Sequence, residues 1–116
     1  MLLTQPNLHP HIHTYSTHRL SFAGMCPVSR NPQEGSTLII SYRPHALFLE
    51  VDSLYAYVMS YRGGKGDIRD MEGMIQQIAQ DCANTIGVKV RARAYIILQR
   101  GAMEVLSIAS PERIAP

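Results

Sequence analysis

What this chain lacks narrows it first. Only two of its 116 residues are cysteines, Cys26 and Cys82, too few for a disulfide framework or, alone, for a four-ligand metal site. A reducing, cytoplasmic setting is the default expectation. No apolar run approaches the ~20 residues that a membrane helix needs, so no membrane partner is expected. The N-terminal stretch has no basic segment leading into an apolar block, and nothing supports secretion. Charge of one sign is also scarce. The 11 Lys and Arg against 9 Asp and Glu leave a formal charge of +2, too slight to argue for nucleic acid on electrostatic grounds. Internal repeats and low-complexity segments are absent. What is present is ordinary: 46% hydrophobic and 17% charged residues, enough for one globular domain and too apolar for disorder. A domain this small buries only roughly two-thirds of its unfolded surface, which makes self-association an expectation.

Along the chain, residues 1–16 are irregular, with Pro6, Pro10 and the histidines His9, His11 and His13. They read as an arm, loose unless a neighbouring subunit holds it. His18 to Met25 carries a short alternating strand signal, and residues 26–35 read as a loop with two prolines and Gly35. Ser36 to Arg43 is a second strand, broken by Pro44, and Ala46 to Val51 resumes an extended apolar run. Asp52 or Ser53 can cap a helix carrying Leu54, Val58 and Tyr61 inward, and the glycine-rich stretch at 63–66 ends it. A longer helix runs from about Asp70, with Met71, Met74, Ile75, Ile78, Ala79, Cys82 and Ile86 on one stripe and Gly87 at its stop. Val88 to Ile96 alternates strictly, residues 99–102 form a turn, and Met103 to Ala109 is the last strand. The tail, 110–116, reads as frayed.

The expected fold is therefore α+β, ordered ββααββ, with a four-stranded antiparallel sheet and two helices on one face. A single domain spans 17–109. Its two open sheet edges are a hazard that closure of several subunits into a barrel would remove.

Three features bear on chemistry. Cys26 stands in a Pro-bounded loop directly after a strand, where a thiol can face a pocket, and Glu34 at the far end of that loop is a candidate proton-transfer partner. The plainer alternative is a half-buried structural cysteine beside a solvated glutamate. Cys82 lies on an apolar stripe and reads as core. Glu50 ends an apolar run and needs a partner if buried. Glu72 opens the long helix, where the macrodipole favours it and where a carboxylate can also grip a guanine-like N–H edge. The His9, His11 and His13 cluster suits zinc by spacing, but an exposed polar arm is the simpler reading. The 63–66 stretch lacks the context of a phosphate loop.

Together these positions resemble the QueF family, the NADPH-dependent 7-cyano-7-deazaguanine reductases of queuosine biosynthesis, built on the tunnelling fold (T-fold). The similarity runs from about Leu20 to Ala109. It is carried by Cys26-Pro27-Val28-Ser29 and Ile40-Ser41-Tyr42-Arg43-Pro44, by Leu49-Glu50-Val51-Asp52-Ser53-Leu54 with Ser60-Tyr61-Arg62, by Glu72, and by Arg100-Gly101. The resemblance implies that Cys26 attacks the nitrile carbon to give a covalent thioimide, with Glu34 as the acid. It implies that Leu49, Glu50, Val51, Met71 and Glu72 hold the 7-deazaguanine, and that Ser53, Arg100 and Gly101 hold NADPH. It also implies substrate sites between subunits of a ring, or of stacked rings, in a tRNA-modification pathway. The match has departures. Gln33 stands at the family's acid position, so Glu34 fills it only with a one-residue shift. Met71 replaces a histidine, and Asp52 replaces a lysine that contacts NADPH, a change that repels phosphate.

Other readings stay open at this level. A QueF-like amidinotransferase would use ammonia on the same nitrile in tRNA, without NADPH, and would have nucleic acid as a partner. A GTP cyclohydrolase I-like hydrolase would need zinc, although Cys26 lacks that family's following histidines. A non-catalytic T-fold module would bind purines or pterins without turnover.

Overall fold

Every second residue is buried from Val90 to Ile96, and this alternation organises the molecule. The computed structural model describes residues 1–26, 31–68 and 70–112. In chain order these form β1 (Thr4–Pro6), β2 (Ser16–Ser21), β3 (Thr37–Tyr42), β4 (Leu47–Leu49), α1 (Val51–Met59), α2 (Met71–Ile86), β5 (Val90–Leu98) and β6 (Gly101–Ala109). The class is α+β with antiparallel sheets, as expected. One sheet has four strands in the order β2-β3-β5-β6, and β1 and β4 form a second, two-stranded sheet. The Pro27-Val28-Ser29 part of the cysteine loop and the tail from 113 to 116 fall outside the described residues.

The core follows from the strand and helix periods. Leu38, Ile40 and Tyr42 of β3, with Val90, Ala92, Ala94 and Ile96 of β5, turn one sheet face inward. Helix α2 packs across β5 and β6 and presents Met74, Ile75, Ile78, Ala79, Cys82, Ala83 and Ile86 to that face. Each fully buried isoleucine there contributes roughly 1.5–3 kcal/mol of apolar transfer. Leu54, Tyr57 and Val58 of α1 join the same buried cluster. Asp70 caps α2 through its carboxylate, which accepts from the Gly73 N–H at 3.1 Å. Gly87 ends it in the left-handed conformation at φ 76°, where a side chain would be strained.

Several local expectations are corrected. The N-terminal arm is tied down within its own chain: β1 pairs with β4, the Leu3 N–H donates to Ser53 Oγ at 2.9 Å, and the Asn7 N–H donates to the Ala46 carbonyl at 2.8 Å. These backbone bonds replace the missing hydrophobic pattern. The Ala46–Val51 run narrows to three strand residues, because Glu50, in place of Asp52 or Ser53, caps α1. The first main-sheet strand is Ser16–Ser21, earlier than expected, and Phe22 follows it into the core. The β5–β6 turn is only two residues long, since Leu98 already pairs with Gly101. Tyr61 is buried but lies beyond the end of α1.

Candidate active site

Cys26 sits where the chain turns from the first long strand toward the sheet's second strand. Its N–H donates to the Asn31 carbonyl at 2.9 Å, and the Gly24 N–H donates to the Pro32 carbonyl at 2.8 Å. These bonds close the neck of the loop. From the other side, the Gly63 N–H donates to the Met25 carbonyl at 2.7 Å and straps the loop to the connection between α1 and α2. Gly63 has φ 82°, so the glycine-rich stretch after α1 supplies the backbone shape for this contact.

The strap encloses a cavity of about 270 Å³. Met25 and Cys26 form one wall, Tyr61, Gly63 and Gly64 a second, and Asp70, Met71 and Met74 a third at the start of α2. A thiol, a carboxylate and a helix N-terminus thus face one largely apolar space. That volume suits a single small ring system; sites for drug-sized ligands run from roughly 300 Å³ upward. Cys26 is partly exposed and Cys82 fully buried. Cys82 is a core residue, as expected, and burial pushes its thiol up to about 12, away from the thiolate form.

The other expected site residues fall in three places. Met71 lines the cavity with Cys26. Glu34 is exposed on the turn before β3 and does not line the cavity. Gln33 is the one drawn toward the cysteine loop, its side-chain amide donating to Asn31 Oδ1 at 3.0 Å and its backbone N–H to the Ile97 carbonyl at 2.7 Å. Leu49, Glu50, Val51 and Ser53 cluster at the start of α1. There the Glu50 carboxylate accepts from the Ser53 N–H at 2.7 Å and the Asp52 N–H at 3.0 Å. These bonds, the Ser53 one foremost, hold it below the usual carboxylate range. The partner that a charge at this position requires is therefore the helix's own first turn. Leu49 is buried and Val51 exposed. Glu72 is exposed in the first turn of α2, and Arg100 and Gly101 are exposed at the β5–β6 turn. None of these lines the Cys26 cavity within one chain.

Asp70 is the site residue that sequence reasoning passed over, treating it only as the approximate start of a helix. The signal was available: an acid at the cap of a helix whose first residues follow a glycine-rich connection ends beside whatever that connection touches.

Of the positions assigned to NADPH, Arg100 and Gly101 are exposed and Ser53 is buried. The Ser53 hydroxyl accepts from the Leu3 N–H and donates to the Glu50 carbonyl at 3.1 Å, leaving it buried and engaged, while Asp52 beside it is acidic and exposed. For zinc, His13 accepts from the Arg43 guanidinium at 2.8 Å, and the His9 and His11 rings meet edge to face at 5.9 Å. Among the described residues no group of three or more His, Cys, Asp or Glu side chains could hold a metal ion. No described helix is long and apolar enough to cross a membrane. No protein-family model matches the chain, and no curated protein matches it either.

Proposed function

We propose that this chain is a QueF-like thiol enzyme of the T-fold class that captures the nitrile of 7-cyano-7-deazaguanine on Cys26. The observation that carries the reading is the shared cavity: Cys26 opens onto an apolar space closed by Asp70 and the first turn of α2. In the capture step the sulfur bonds to the nitrile carbon, one C–N π bond breaks, and the thiol proton ends on nitrogen. The product is a thioimide. Asp70, which lines the same cavity, is the carboxylate that relays that proton under this reading, with Glu34 reaching the site only from a neighbouring subunit or after loop movement. Exposed Glu72 and the half-buried Glu50 then serve substrate held between subunits of a ring.

In the family, NADPH supplies hydride to reduce the captured nitrile to the aminomethyl product. The engagement of Ser53 and the acid at Asp52 favour a second fate, in which ammonia displaces the thiol and leaves an amidine. That route needs no redox partner, and tRNA would then carry the nitrile. Product analysis separates them. NADPH oxidation upon nitrile addition identifies the reductase, and amidine formation that requires ammonia identifies the transferase. Neither product, despite tight purine binding, would leave a non-catalytic module.

A further inference from the structure

The +2 net charge hides a strong segregation. On the sheet face turned away from the helices, Arg19, Arg91 and Arg93 occupy outward positions of β2 and β5, and Arg43 and Lys89 extend the pattern just beyond β3 and before β5. Of the acids, only Glu104 lies on the outward side of a strand of this sheet, opposite Tyr95. The cations converge at one end, where Tyr15, Thr17, Ser41, Arg43, Lys89 and Arg91 line a cavity of about 540 Å³. Register explains the convergence. Tyr42 faces Val90 across the β3–β5 pair, and both are buried, so their neighbours Ser41, Arg43, Lys89 and Arg91 point to the opposite side.

Among the described residues, no carboxylate lines this cavity. Arg43 is oriented by groups other than carboxylates, with its guanidinium donating to His13 at 2.8 Å and lying 5.9 Å from the centre of the Tyr15 ring. Three cations are therefore gathered around hydroxyl-bearing Thr17 and Ser41 without a neutralising anion among the described lining residues. Phosphate oxygens match that donor set: a guanidinium offers a planar fork, an ammonium a point charge, and hydroxyls fill the remaining lone pairs. We propose that this cavity is a binding site for a small phosphorylated ligand, a diphosphate-bearing molecule such as a nucleoside diphosphate. Its cations crowd one concave space, as a compact anion requires; a nucleic-acid backbone would favour an even stripe. Among the described residues the site shares no lining residue with the Cys26 cavity, and it stands or falls independently of the nitrile chemistry.

The test uses the full chain and inorganic pyrophosphate, titrated by isothermal calorimetry and by backbone NMR shifts at low ionic strength. Saturable binding is expected, with shifts concentrated at 15–17, 41–43 and 89–91. Arg43→Ala and Arg91→Ala are each expected to weaken it about tenfold or more, and Arg43→Lys by less. Both positions changed are exposed arginines, and unchanged unfolding midpoints verify that the fold survives. Absence of saturation, equal affinity in the alanine variants, or shifts centred on Arg19 and Arg93 would overturn the proposal. So would binding of a single-stranded oligonucleotide by a protein that ignores pyrophosphate.

Discussion

Asp70 is the residue on which cap and site meet. Its carboxylate holds the Gly73 N–H and lines the Cys26 cavity, so two substitutions separate the roles. Asparagine caps a helix about as well as aspartate, whereas alanine loses about 1 kcal/mol. Asp70→Asn is therefore expected to keep the denaturation midpoint while removing a negative charge beside Cys26. Its thiol should then alkylate faster at neutral pH, because a neighbouring anion disfavours the thiolate. Buried Cys82 stays silent, so iodoacetamide labelling followed by mass spectrometry reads Cys26 alone. Equal rates in both proteins would separate Asp70 from the thiol. At this scale the sequence disclosed only half the site. Cys26 stood out through its loop and Met71 through its helix. The cavity's acid did not, because closeness between residues 26 and 70 depends on a backbone strap from Gly63 that no periodicity encodes.

Elements were more readable than their ends. The long helix and the alternating strand after it follow directly from periods of 3.6 and 2, because a whole face of each is buried. The start of α1 was misread for a definite reason: Glu is a weak cap by preference, and the better-favoured Asp52 and Ser53 follow it. Here Glu50 spans two first-turn amides at once. Its folded carboxyl lies below the ordinary 4.5, so the unfolded chain takes up a proton first as the pH falls. The stabilisation it provides is complete above that ordinary value and is lost as the pH drops through the folded one. Denaturation followed between pH 7 and pH 3 should show Glu50→Gln less stable at neutrality, with a shallower acid decline. A decline identical to wild type would show that the capping bonds carry no pH-dependent stability. The β1–β4 pair was unreadable, since three exposed residues of β1 carry no hydrophobic pattern and are held by backbone bonds.

At the scale of the molecule, two outer strands, β2 and β6, each keep one edge unpaired among the described residues. Tyr95, Ile97, Leu106 and Ile108 remain between 39% and 56% exposed. Such edges invite further pairing, and the proposed ring would continue the sheet from one protomer to the next. Sedimentation at micromolar concentration is expected to give a species of several subunits. A strict monomer would remove the ring, and with it the route by which Glu34, Glu50 and Glu72 reach a Cys26 cavity they do not line in one chain. The two faces of the sheet divide the labour under this account, with helices and thiol on one side and a cationic surface on the other.

The most direct measurement is intact mass after incubation with 7-cyano-7-deazaguanine, without reductant or ammonia. The account predicts a gain of one whole nitrile molecule, absent in Cys26→Ala and retained when Cys82 is replaced by alanine in a folded protein. No adduct on the wild type, or an adduct that persists in Cys26→Ala, would contradict it.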